Sequence, residues 1–180
     1  MAKNYYKKHL DIFAKDKKHR IIIERHDDFY YISEGFTMIR LPAVYYEVFA
    51  RPVNPLFISL ENGQNAARQP SEPLPVIRPD FSDCLRKIWE STKAETPAHI
   101  SRLIIESDNA AARVVRIDRK IMLYNNDFIT AIRQYCGEVK ATADRFPVLK
   151  WEDATGAGCI VLGINNAALL DCIREITAML

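Results

Sequence analysis

Two stretches of this chain run through the same order of elements, and that order constrains the fold more than any other feature. In residues 29 to 49 a β-rich arm leads into Phe36-Thr37-Met38, a proline-marked junction, and then Val44, Tyr45, Val48 and Phe49. In residues 113 to 133 a similar arm leads into Ile121-Met122-Leu123, then Asn125-Asn126-Asp127, then Phe128, Ile129, Ile132 and Arg133. The strand portions match at an offset of 85 and the helical portions at 84, so one residue of slippage at the junction aligns them. A repeated supersecondary unit sets the architecture before any single site is considered. The expectation is an α+β fold of two pseudo-repeated units, about 19–95 and 99–180, in which short helices cover one side of antiparallel strands.

Local signals fill in the two units. "RIIIERHDDFYYISEG" places two β-rich runs around His26-Asp27-Asp28 and reads as a hairpin, with "GFTMIRL" as the next strand. Pro42 suits a helical first turn, and "AVYYEVFARP" then predicts about ten helical residues with Val44, Tyr45, Val48 and Phe49 buried. "LFISLENG" predicts a strand, residues 64 to 80 a proline-rich connection with an edge strand in "PLPVIRP", and "DFSDCLRKIWEST" a helix capped near Asp80 or Ser82. A second hairpin in "ISRLIIES" and "AARVVRIDR" precedes the strand "KIMLY" and a helix ending at Gly137, with Asn126 as its candidate N-cap. "EVKATAD", "PVLKWED" and "GCIVLGI" read as three further strands, and "NNAALLDCIREITAML" as a closing amphipathic helix.

The run "VRIDRKIMLYNNDFITAIRQY", followed by those three strands, resembles a domain of the bacterial DNA polymerase sliding clamp. The resemblance covers residues 113 to 164, with residues 20 to 62 as a weaker copy. It implies a fold like one clamp domain and, in that family, helices that line a ring around duplex DNA. A ring would require several copies of a chain this short.

Charge sets bounds on that expectation. The first 20 residues hold seven Lys or Arg against two Asp, a balance of +5, so the chain's total of +2 leaves −3 for the remainder. Residues 1–18 therefore read as a basic N-terminal arm, separate from a compact domain over 19–180. The predicted helices balance Arg51 with Glu47 and Arg174 with Asp171 and Glu175, whereas phosphate contacts need clustered positive charge. Nucleic acid is thus a weakly supported partner, and a protein partner or a second copy is preferred. The expected interaction surface comprises Lys7, Lys8, Lys17 and Lys18 with the aromatics Tyr46 and Trp151, since aromatic rings supply contact area.

Reaction chemistry finds little foothold. His26, Asp27 and Asp28 form the best small polar cluster, read as a solvent-facing turn, and His9, His19 and His99 make no HxH or HExxH spacing. "TGAG" lacks the following Lys-Ser/Thr of a phosphate-binding loop. Cys84, Cys136, Cys159 and Cys172 have no CxxC spacing and read as reduced core cysteines. Neither cofactor nor metal is expected. No apolar run approaches the roughly 20 residues of a membrane helix, and the expected location is cytoplasmic. The function expected is that of a non-catalytic binding or assembly protein, with a self-associating structural protein or a small hydrolase using a polar cleft as alternatives.

Overall fold

The computed structural model describes residues 6–52, 54–78, 84–107, 110–132 and 138–164. In chain order its elements are α1 (Lys7–Lys15), β1 (Ile21–His26), β2 (Phe29–Ser33), β3 (Thr37–Pro42), α2 (Ala43–Tyr45) continuing as a π-helical segment (Tyr46–Ala50), β4 (Asn65–Arg68) and β5 (Val76–Ile77). There follow α3 (Cys84–Ser91), β6 (Thr96–Ser107), β7 (Ala110–Ile117), β8 (Lys120–Asn125), α4 (Asn126–Ile132), β9 (Lys140–Ala141), β10 (Leu149–Glu152) and β11 (Gly158–Val161). The strands make an eleven-stranded antiparallel sheet in the order β5-β4-β1-β2-β3-β11-β10-β9-β6-β7-β8. The architecture is α+β, with short helices laid on the sheet.

Period-two alternation sorts side chains between the faces of this sheet. Ile21 and Ile23 of β1, Tyr30 and Ile32 of β2, Ile39 and Leu41 of β3, and Cys159 and Val161 of β11 all enter the main core. Leu10 and Phe13 of α1, Tyr46 and Ala50 of the π segment, and Phe128 and Ile129 of α4 cover that face. The intervening residues Tyr31, Met38 and Ile160 point to the opposite face, where Leu85 and Trp89 of α3 cover them. Glu24, at 1% exposure, also faces that way, and its carboxylate accepts the N–H groups of Leu85 and Arg86 at 2.9 and 3.2 Å. A strand carboxylate thereby satisfies the start of α3, where helix N–H groups lack intrahelical partners and negative charge is favoured.

At the far end, Tyr124 of β8 makes an antiparallel bridge to Gly163, and the Ile164 N–H donates to the Leu123 carbonyl at 2.7 Å. The last strand of the sheet therefore bends back to the chain that has just left β11. Gly158 marks the tightest approach between layers. A Cβ there would run into the Trp151 carbonyl and lie 2.9 Å from the Trp89 ring.

Several expectations need correction. The helix after Pro42 winds through a π turn, closed by the Arg51 N–H on the Tyr46 carbonyl at 3.0 Å, and this rotates its faces. Tyr46 and Ala50 point inward, while Val44, Val48 and Phe49 are exposed instead of buried. "LFISL" forms no strand. Leu56, Phe57 and Leu60 are buried from a loop whose backbone is bonded by tyrosines: Tyr46 Oη donates to the Ile58 carbonyl, and the Leu60 N–H donates to Tyr30 Oη. The proline-rich connection contains β4, a fully buried strand paired with β1. From Tyr6 onward the expected arm is largely a packed helix, with Tyr6, His9, Leu10 and Phe13 buried. β3 and β8 each span six residues and each run directly into a helix, so the elements begin 83 residues apart and not at the expected offsets of 85 and 84.

Asp80, Ser82, Asp83, Asp108, Asn109, Arg133, Cys136, Gly137 and the closing helix over 165–180 lie outside the described residues. Among the described residues, no helix is long and apolar enough to cross a membrane.

Candidate functional site

The β2–β3 turn and the loop leaving α1 meet at one end of the sheet, and each is held by its own hydrogen bonds. In the turn, Ser33 Oγ donates to the Thr37 carbonyl at 2.8 Å and accepts the Gly35 N–H at 3.1 Å. Gly35 has φ of 104°, a region that favours glycine. Glu34 folds back over this turn, accepting the Thr37 N–H at 2.8 Å on Oε1 and the Phe36 N–H at 3.2 Å on Oε2. In the loop, Asp16 Oδ1 accepts the N–H groups of Lys18 and His19 at 2.8 and 2.9 Å. The Arg68 guanidinium, from the buried strand β4, donates to the carbonyls of Asp16 and His19. A loop so tied places its side chains in one position.

That position brings three ionisable groups together. His19 Nδ1 is 2.7 Å from Asp16 Oδ2, and the His19 ring meets the Phe36 ring edge-on at 5.3 Å. One ligand atom from each of Asp16, His19 and Glu34 lies within 4.8 Å of the others. Burial pushes the Glu34 carboxyl up, against the lowering effect of its two backbone bonds and of the His19 charge, and the Asp16 charge adds to the rise. Burial also acts to raise Asp16, but the bonds from the His19 ring and from the His19 and Lys18 amides outweigh it and hold this carboxyl below its usual range.

Beside the cluster runs a groove of about 760 Å³. Ile12, Phe36, Phe128, Leu162 and Ile164 supply its apolar lining; Lys15, Lys17 and Lys18 supply exposed positive charge, and of its carboxylates Asp16, Glu34 and Asp127 only the last is exposed. A smaller apolar hollow of about 330 Å³, lined by Met38, Leu85 and Ile88, shares Glu34, Phe36 and Leu162 with it. Phe36 at 53% exposure and Leu162 at 41% are the apolar side chains common to both.

Of the expected surface residues, Lys17 and Lys18 are exposed and line this groove; Lys7 is exposed and Lys8 half-buried at the start of α1. Tyr46 and Trp151 do not belong to any surface. Tyr46 is fully buried, stacked on Tyr30 with centroids 3.7 Å apart and planes 7° apart. Trp151 alternates inward on β10 with Leu149, opposite Cys159. His26 and Asp27 stay in their turn, 3.0 Å apart, with the Asp27 N–H on Asn62 Oδ1. Cys159 is buried and its thiol is pushed up by burial, whereas Cys84, expected in the core, is exposed; both are free.

The capping residue of α4 also differs from expectation. Asn125 Oδ1 accepts the Asp127 N–H at 2.8 Å, which makes Asn125 the N-cap. Asn126 Oδ1 instead accepts the Arg113 Nε–H at 3.0 Å, while Arg113 Nη1 reaches the Arg102 carbonyl at the β6 bulge. Sequence reasoning missed Asp16, His19 and Glu34 as a group. The only local signal was the Asp16–His19 spacing, and Glu34 joins them through the sheet. Comparison of the chain with family models, with curated proteins and with solved structures finds no match.

Proposed function

We propose that this protein is a non-catalytic binding or assembly protein of the cytosol, built from two related units in the manner of one sliding-clamp domain, and that it engages a protein partner through the groove beside Phe36. The groove carries the reading: it combines apolar lining, including exposed Phe36 and Leu162, with three exposed lysines, Lys15, Lys17 and Lys18, against one exposed carboxylate, Asp127. Such a surface suits a segment that alternates apolar side chains with carboxylates, because burial supplies the affinity and opposite charge the orientation.

Matching pairings in the two halves support the two-unit part of the reading. β1, β2 and β3 form a meander followed at once by a helix, and β4 returns to the outer side of β1 with β5 beyond it. β6, β7 and β8 form a second meander followed at once by a helix, and β9 returns to the outer side of β6 with β10 beyond it. The free thiols Cys84 and Cys159 accord with a reducing compartment. Protein is favoured over nucleic acid as partner because the groove's floor is apolar and its basic rim is short.

Fluorescence anisotropy with a synthetic peptide rich in Leu, Phe and Glu tests this, using a version with Lys in place of Glu as control. The acidic peptide is expected to bind with Kd of roughly micromolar order. Phe36→Asp should abolish that binding, and the basic peptide should bind far more weakly. Equal binding of both peptides, or preference for a DNA duplex with steep salt dependence, overturns the reading.

A further inference from the structure

We propose that Asp16, His19 and Glu34 form a binding site for one first-row divalent metal ion, best matched to zinc, with a remaining coordination position open toward the groove. The three residues come from the end of α1, the loop after it and the β2–β3 turn, so only the folded chain assembles them. Their candidate ligand atoms all lie within 4.8 Å of one another. Zinc binds carboxylate oxygen and imidazole nitrogen at about 2.0–2.2 Å, which places neighbouring ligand atoms roughly 3.3 Å apart in a tetrahedral site. Small side-chain rotations cover that difference, including a retreat of His19 from its 2.7 Å contact with Asp16.

The donors remain available despite their existing bonds. Each Glu34 oxygen accepts a single backbone N–H, and a carboxylate oxygen has a second lone pair. One nitrogen with two carboxylates suits zinc or manganese and not a soft thiolate-seeking ion. The supporting shell is already in place: Arg68 fixes the loop through its carbonyls, and Ser33 fixes the turn. Such outer partners orient metal ligands and govern affinity.

A second observation points to a cation. Glu34 is only 5% exposed, and among the described residues no lysine or arginine forms a salt bridge with it. The two other members of the cluster act on its charge, His19 favouring the carboxylate and Asp16 opposing it. Two carboxylates brought together with one half-exposed imidazole leave negative charge that a divalent ion offsets. The ion would also join α1 to the β2–β3 turn, so its binding is linked to folding stability.

Isothermal titration of the full metal-free chain with zinc chloride tests the assignment, without any peptide present, so its outcome is independent of the groove reading. One ion per chain is expected, with Kd of roughly micromolar order or tighter. Asp16→Asn, His19→Gln and Glu34→Gln should each weaken binding by about tenfold or more. His26→Gln, in a different turn, should leave it unchanged. Cobalt should give the strong visible absorption of a four-coordinate site, lost in His19→Gln. His19 is half-exposed, unlike the buried Glu34, so this variant carries the test even where Glu34→Gln fails to fold. Absence of saturable binding, or retention of full affinity in His19→Gln, overturns the proposal.

Discussion

The two strand-to-helix junctions solve one problem by different means. After β8, the Asn125 side chain caps α4, and Phe128 and Ile129 of a regular helix enter the core. After β3, the proline start has no side-chain cap, the chain winds into a π turn, and Tyr46 becomes the inward anchor. The first junction is held by what its helix meets; the second is also held by its own first turn. Similar sequence patterns can therefore present different residues to the core when the winding of one helix changes. Val44, Val48 and Phe49 are left outside while Tyr46 and Ala50 face the core.

The largest effect should come from the anchor of the first junction. Tyr46→Ala removes a fully buried ring, its stack on Tyr30 and its bond to Ile58, and is expected to cost about 3–5 kcal/mol in chemical denaturation. A cost below about 1 kcal/mol would show that the stack does not hold this junction. Ile129→Ala should cost about 2–5 kcal/mol, and a loss clearly greater than that of Tyr46→Ala would reverse the contrast.

Helix α1 packs against both junction helices, and its His9 is fully buried, with burial lowering its pKa to about 3. The unfolded chain takes up this proton below about pH 6.5, while the folded chain does not until near pH 3. Stability from this group should hold above pH 6.5 and fall by a few kcal/mol as the pH drops toward 3. His9→Phe should flatten that part of the pH–stability curve. An unchanged slope in this variant would remove His9 as the cause.

Asn125→Ala should cost about 0.5–2 kcal/mol, and Asn125→Ser should recover much of it, because a hydroxyl can replace the capping oxygen. Asn126→Ala would instead act through Arg113, so its loss should shrink in an Arg113→Met background, as a double-mutant cycle can show. The smallest effect is expected at Val44→Ser, within about 0.5 kcal/mol, since this exposed side chain loses little burial. A loss above about 1 kcal/mol would place that residue against something it does not meet in the isolated chain.

Where apolar β-rich runs are strong, the sequence carries the fold plainly. Ile21-Ile22-Ile23, Tyr30-Tyr31-Ile32 and Cys159-Ile160-Val161 read as strands and are strands. The proline-rich segment hid β4 because Asn65-Ala66-Ala67-Arg68 has neither β-branched nor aromatic residues; its pairing with β1 and burial on both faces make it a strand. "LFISL" erred the other way, since tyrosine hydroxyls from other elements took the backbone bonds that a sheet would have supplied. The basic rim was legible as composition through Lys17 and Lys18. The cluster of Asp16, His19 and Glu34 was not, because residues on separate turns become neighbours only when the loop after α1 docks beside the β2–β3 turn. Trp151 and Tyr46 show the converse: an aromatic residue is visible in sequence, but its side of the fold is set by pairing register and helix winding.

The bridge from Tyr124 to Gly163 reaches beyond this one molecule. Filaments that grow by adding sheet to sheet need an open strand at both ends of every copy. Here Leu123 and Tyr124 at one end already bond their own chain, and at the other, among the described residues, Val76 and Ile77 offer a short open strand behind Pro75. Two copies joined at that strand would make a two-fold pair whose outer edges are both β8, each already bonded at Leu123 and Tyr124 to its own chain.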